Sequence, residues 1–110
     1  MSLKGENLSA MDFFRFDLRV GSIRTVEAVP KSKKLLKLEV DFGPAGIRTI
    51  LAGIAGATLV EGQKVVAIIN LEPRTMMGLT SHGMLLAGAD EAGKVWLVNP
   101  GPVPDGAEVG

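Results

Sequence analysis

The clearest pattern in the chain lies at residues 36–42, where Leu36, Leu38, Val40 and Phe42 alternate with Lys37, Glu39 and Asp41. A strict period of two predicts a strand with one buried and one wet face. Residues 16–28 alternate less cleanly. Phe16, Leu18 and Val20 share one parity, Ile23 takes the other, and Val26 and Ala28 return to the first. Gly21 sits at the first slip. Such slips suit a long strand that bends through bulges, as the first strand of a small barrel must. The turn Phe42-Gly43-Pro44-Ala45-Gly46 then leads into a third strand at residues 47–52.

The second half reads as further short elements. Residues 53–60, GIAGATLV, are apolar but rich in Gly and Ala, which predicts a short helix closed by Gly62. A fully buried strand follows at residues 65–70, another at 83–87, and a last one at 94–98 beyond the turn at 90–93. Near the start, Ser9 is a fair N-cap with Asp12 three residues on, predicting one helical turn over residues 9–14. Met11 would also serve as a start, so residues 1–10 read as a flexible leader to a domain at 11–110. Three strands, a short helix, then two or three strands form the element order of an all-β OB-fold, a partly open five-stranded Greek-key barrel. An up-and-down or SH3-like barrel lacks the helix between strands three and four.

Composition narrows the function classes. With 110 residues the chain forms one domain, and no run approaches the roughly 20 apolar residues of a membrane span. The first residues carry no apolar signal core, so we expect a cytoplasmic protein with no membrane partner. Cysteine is absent, which excludes disulfides, thiolate zinc sites and cysteine nucleophiles. The net charge is zero but uneven: residues 1–50 hold nine Lys/Arg against six Asp/Glu, and residues 51–110 hold three against six. Lys31, Lys33, Lys34 and Lys37 cluster without an acidic neighbour between them. Such a run is ordinarily a solvated face, yet on a neutral protein it can steer a polyanion.

Residues 70–88 place a polar insert between two apolar runs. It holds Pro73, Arg74, Thr75, Gly78, Thr80, Ser81, His82 and Gly83, with Met76, Met77 and Met84 close by. The composition predicts an ordered loop between buried strands, the kind of segment that carries binding residues. Its Arg offers a planar fork for phosphate, and its methionines a polarizable apolar face or a core plug.

Catalytic chemistry has little to work with. His82 is the single histidine, and adjacent Ser81 points to the opposite face of an extended segment. Asp17, Asp41 and Asp90 show no paired spacing, no metal set is recognisable, and Gly53-Ile54-Ala55-Gly56 lacks the frame of a phosphate loop. We expect neither enzymatic activity nor a metal or cofactor. On an OB barrel, the loops joining strands one and two and strands four and five flank the ligand face. The first would carry Lys31–Lys34 and the second residues 74–81. That supply suits a phosphate backbone. The shortage of aromatic platforms argues for a structured RNA read by shape.

Four blocks, in order, carry a family resemblance. They are Phe13-Phe14-Arg15-Phe16-Asp17-Leu18-Arg19-Val20-Gly21, Ser32-Lys33-Lys34-Leu35-Leu36-Lys37-Leu38, Asn70-Leu71-Glu72-Pro73-Arg74, and Ser81-His82-Gly83-Met84-Leu85-Leu86-Ala87. From residue 12 to 110 the chain resembles the tRNA-binding domain of stand-alone dimeric tRNA-binding proteins, of methionyl-tRNA synthetase C-terminal domains and β subunits, of cytokine-like synthetase cofactors and of the CsaA chaperones. The resemblance implies an OB fold, a homodimer, and binding at the outer corner of tRNA without strong sequence choice. It assigns tRNA contacts to Lys33, Lys34, Lys37, Asn70, Arg74, Ser81 and Met84. His82 departs from the acidic residue or glutamine usual there. The lysine block favours the synthetase-associated branch, whereas Val103-Pro104-Asp105-Gly106 is shared with the chaperones. Nothing resembles the synthetase catalytic signatures HIGH and KMSKS. The chain therefore resembles an accessory subunit or a detached C-terminal domain of methionyl-tRNA synthetase. The alternatives are a CsaA-like export chaperone gripping unfolded preproteins through Met76, Met77, Leu79 and Met84, and a simple dimerisation domain.

Overall fold

In the computed structural model, which describes residues 5–110, the first long run of the chain becomes one strand, β1 (Leu18–Ala28). Strand β2 (Leu36–Asp41) lies antiparallel to its second half, and β3 (Ile47–Ala52) pairs along the far edge of β2. Strand β4 (Lys64–Ile68) takes the first half of β1 instead. A strand that serves both sides of a barrel must bend, and the β1–β2 register shifts between Ile23 and Thr25. Gly21 has a different purpose from the expected slip. A Cβ there would come within 2.6 Å of Val40 and 2.8 Å of the Phe42 ring, both fully buried. Only glycine allows this approach of strand to core.

The insert is more ordered than a loop. It forms a two-stranded ribbon, β5 (Arg74–Met76) and β6 (Leu79–Ser81), turned by Met77 and Gly78 with φ of 52° and 77°. Two successive left-handed residues make the hairpin turn whose twist matches its strands. The chain then re-enters the barrel as β7 (Met84–Leu85), paired with β4. The resulting order β3-β2-β1-β4-β7, with β7 against β3, is the nearly closed five-stranded OB barrel that the pattern predicted. A further hairpin, β8 (Ala87–Ala89) and β9 (Val95–Leu97), and a short β10 (Glu108–Val109) beside the start of β1 complete the fold.

The helix expected between strands three and four is absent. Residues 53–63 run through two turns, with Gly56 and Gly62 at φ of 101° and 87°. Glycine costs a helix interior roughly 1 kcal/mol each, and these amides are satisfied elsewhere. Ala55 N–H donates to Lys34 O at 2.9 Å and Gly62 N–H to Ile23 O at 2.7 Å. Buried Ile54 packs into the main core from this segment, with Ala57 and Leu59 against it. The N-terminal turn does form: α1 (Ala10–Phe13) is capped by Ser9 Oγ, which accepts from Met11 N–H at 3.2 Å. The expected leader falls partly on residues 1–4, outside the described residues.

Two apolar clusters result among the described residues. The main core gathers Ile23, Leu38, Val40, Phe42, Ile50, Val65 and their neighbours, so the even positions of β2 point inward as predicted. A satellite core of Val29, Leu35 and Leu51, with Met76 and Leu79 packed on it, lies on the opposite face of β2 and β3. The face is fixed by register, because Leu51 stands across from Lys37 while Ile50 stands across from Leu38.

Candidate nucleic-acid interface

The satellite core is a joint between segments far apart in sequence. Val29 and Leu35 are the two feet of the connection from β1 to β2, and both are buried. Between them the chain closes on itself. Val29 N–H donates to Leu35 O at 3.3 Å, Ser32 N–H to Val29 O at 3.1 Å, and Leu35 N–H to Ser32 Oγ at 3.0 Å. Lys31, Lys33 and Lys34 are left exposed on this braced loop. From the other side, Met76 and Leu79 of the ribbon sink onto Leu35 and Leu51. Apolar burial thus holds the lysine loop and the ribbon side by side.

Between them opens a cleft of ≈ 340 Å³ lined by Leu35, Leu51, Arg74, Ser81 and Met84 among others. Arg74 is exposed at the foot of the ribbon, opposite Ser81. Met84 is 40% exposed, so an apolar contact is available beside the guanidinium. Lys37 projects from the same face of β2 as the satellite core. Lys33, Lys34, Lys37 and Arg74 have no carboxylate within ion-pairing distance among the described residues. The cleft therefore sets the Arg74 guanidinium beside a small apolar wall, with the exposed lysines on or beside the loop whose foot, Leu35, lines it, which fits a phosphate backbone and an adjoining sugar or base.

Two expected contacts sit differently. Ser81 is 3% exposed, and its hydroxyl accepts from Leu51 N–H at 2.9 Å while donating to Gly83 O at 3.1 Å. It fastens the ribbon to β3, with its hydrogen-bonding capacity engaged inside the fold. Asn70 lies at the N-terminal end, away from the cleft lining. Its Oδ1 accepts from Asp17 N–H and its Nδ2 donates to Arg15 O, both at 2.8 Å. The cleft also uses Ala52, Gly53 and Ile54, which an apolar run gave no reason to single out. Of the four residues of a preprotein groove, Met76 and Leu79 are partly buried against the satellite core, Met76 lines the cleft with Met84, and Met77 is exposed at the ribbon's turn.

The family of putative tRNA binding domains matches residues 18–108 of this chain. The chain belongs to that family. Among curated relatives of this tRNA-binding domain, the methionine–tRNA ligase of Methanococcoides burtonii is 44% identical over 92 residues, covering 81% of this chain and 14% of the ligase. The Methanocaldococcus jannaschii ligase is 44% identical over 100 residues, covering 86% and 15%. The domain thus spans about one-seventh of the curated relatives it matches. A solved methionyl-tRNA-synthetase-related protein from Pyrococcus horikoshii shares the fold with a TM-score of 0.86 and 40% identity, covering 94% of this chain and 98% of that one. A CsaA chaperone from Bacillus anthracis follows at 0.85 and 31%, covering 96% and 100%.

Proposed function

We propose that this domain grips tRNA by its phosphate backbone across the cleft between the lysine loop and the ribbon. In this reading Lys33, Lys34 and Lys37 act as point charges, Arg74 as a two-pronged phosphate ligand, and Met84 as an apolar wall for an exposed nucleotide. Ser81 and Asn70 serve by bracing. Contacts of this kind carry no sequence information, so many tRNAs bind alike. The observation that supports the proposal is the shared satellite core, which packs the foot of the lysine loop, Leu35, against the ribbon whose Arg74 lines the cleft. The domain works without catalysis of its own, in the cytoplasm, as an accessory module to methionyl-tRNA synthetase.

We further propose that it acts as a homodimer. Phe13, Phe14 and Phe16 are 44%, 67% and 46% exposed beside residues 108–110, a patch that a second copy would cover. Trp96 is also exposed, whereas its neighbours Leu97 and Val95 pack with the main core. Sedimentation of a pure monomer would overturn this.

Salt titration of tRNA binding tests the main proposal. Log affinity should fall linearly with log salt, as counterions release from neutralised phosphates. Salt-indifferent binding, or binding of unfolded polypeptide in place of tRNA, would contradict it.

A further inference from the structure

The connection carrying Arg74 leaves the barrel after Ile69 and returns at His82. A hairpin on two strands can hinge where it leaves its base, and movement there would carry Arg74 away from the cleft. One side chain closes that neck. Arg48 Nη1 donates to Ile69 O at 2.8 Å and to His82 O at 3.3 Å, joining the outgoing and returning strands. Arg48 stands across from fully buried Val40, so the alternation of β3 assigns its position to the core. It lies near the end of the strand, where a long side chain can bury its stem and bring its head to the barrel rim. The other anchors on β3 hold only the returning side: Thr49 O accepts from His82 N–H at 2.9 Å, and Leu51 N–H donates to Ser81 Oγ. Arg48 has no carboxylate partner among the described residues, so its donors serve these two carbonyls.

We infer that Arg48 is a positioning residue for tRNA binding: it clamps both ends of the ribbon and so fixes where Arg74 stands over the cleft. This rests on the reading of Arg74 as a phosphate ligand. Arg48 acts through Arg74, so its removal matters only while Arg74 is present.

A double-mutant cycle on the full chain, with tRNA as the probe, separates the possibilities. Arg48→Met should weaken binding at least about threefold beside an intact Arg74, and by less than about 1.5-fold once Arg74→Ala is in place. The free protein should show faster amide hydrogen exchange at residues 74–82 in Arg48→Met, with β1 and β2 unchanged. Equal losses in both backgrounds, or unchanged ribbon exchange, would overturn the inference. So would a lower salt slope for Arg48→Met in the Arg74→Ala background, which would make Arg48 a direct phosphate contact. If Arg48→Met unfolds the barrel, Arg48→Lys runs the same cycle. An Arg74→Ala variant that binds like the parent would sink the underlying reading instead, and ribbon exchange would still judge the clamp.

Discussion

Where the C-terminal segment covers the barrel, Arg19 lies 2.6 Å from Asp17 and also reaches Glu108, and Lys64 lies 2.7 Å from Asp105. On the cleft face, Lys33, Lys34, Lys37 and Arg74 have no such partners among the described residues. The first group closes the fold. Asp105 accepts from Ser22 and Lys64 together, Gly106 N–H donates to Val20 O, and the Asp17 hydrogen bond raises the Arg19 guanidinium above its ordinary value. The second group repels itself, and the satellite core holds it together regardless. Charges compensated internally add to cohesion, whereas charges left open and held close are available to a polyanion. The two regions should therefore answer mutation differently.

The largest effect is expected where the cleft is assembled. Leu51→Ala removes the satellite residue shared by both arms, and should cost about 2–4 kcal/mol in chemical denaturation. It should also weaken tRNA binding in protein that remains folded. Leu38→Ala in the main core should cost stability alone. Unchanged affinity in folded Leu51→Ala would break the link between the satellite core and the cleft.

Next come the arginines. Arg74→Ala should lose about 1–3 kcal/mol of tRNA affinity while the melting temperature stays put. Arg19→Ala should do the reverse, lowering the melting temperature while affinity is retained. If both variants behave alike, the division between paired and open cations fails.

A smaller effect concerns acid. Burial alone would raise the Asp105 carboxyl, but hydrogen bonds from Lys64 and Ser22 and the Lys64 charge outweigh it, holding the group below its ordinary 3.8. A carboxyl lowered on folding adds stability above its ordinary value and loses it as pH falls through the folded one. Unfolding free energy should thus decline below about pH 3.8 more steeply in the parent than in Asp105→Asn. At neutral pH the variant should lose about 1 kcal/mol with tRNA affinity intact. Parallel acid limbs would remove Asp105 from the clasp.

What could be read from sequence follows the range of each interaction. The strand at 36–42 was legible because its period of two is local, and the N-terminal turn because Ser9 caps its own neighbours. Residues 53–60 mislead because a short apolar run ahead of Gly62 resembles a capped helix in isolation, whereas its glycines disfavour one and the amides of Ala55 and Gly62 answer to Lys34 and Ile23. The resemblance carries Ser81 and Asn70 over as contacts by position alone, and position does not show which partners a hydroxyl or an amide finds across the fold. Their partners, Leu51 and the pair Arg15 and Asp17, lie 30 to 55 residues away. The nearness of the lysine loop to the ribbon followed from OB topology, but not the satellite core that secures it. Arg48 left one overlooked signal, a charge on the core parity of an otherwise regular strand.

The central claim is that the lysine loop belongs to the same phosphate-binding surface as Arg74. The salt dependence of tRNA binding by Lys33→Gln/Lys34→Gln tests it most directly. If both lysines neutralise phosphates, the slope of log affinity against log salt should drop by roughly 1.4–1.8, at about 0.7–0.9 for each phosphate released. The drop should be similar for different tRNAs, and the melting temperature should not change. An unaltered slope would mean that the lysines are a solvated face and that the ribbon binds alone.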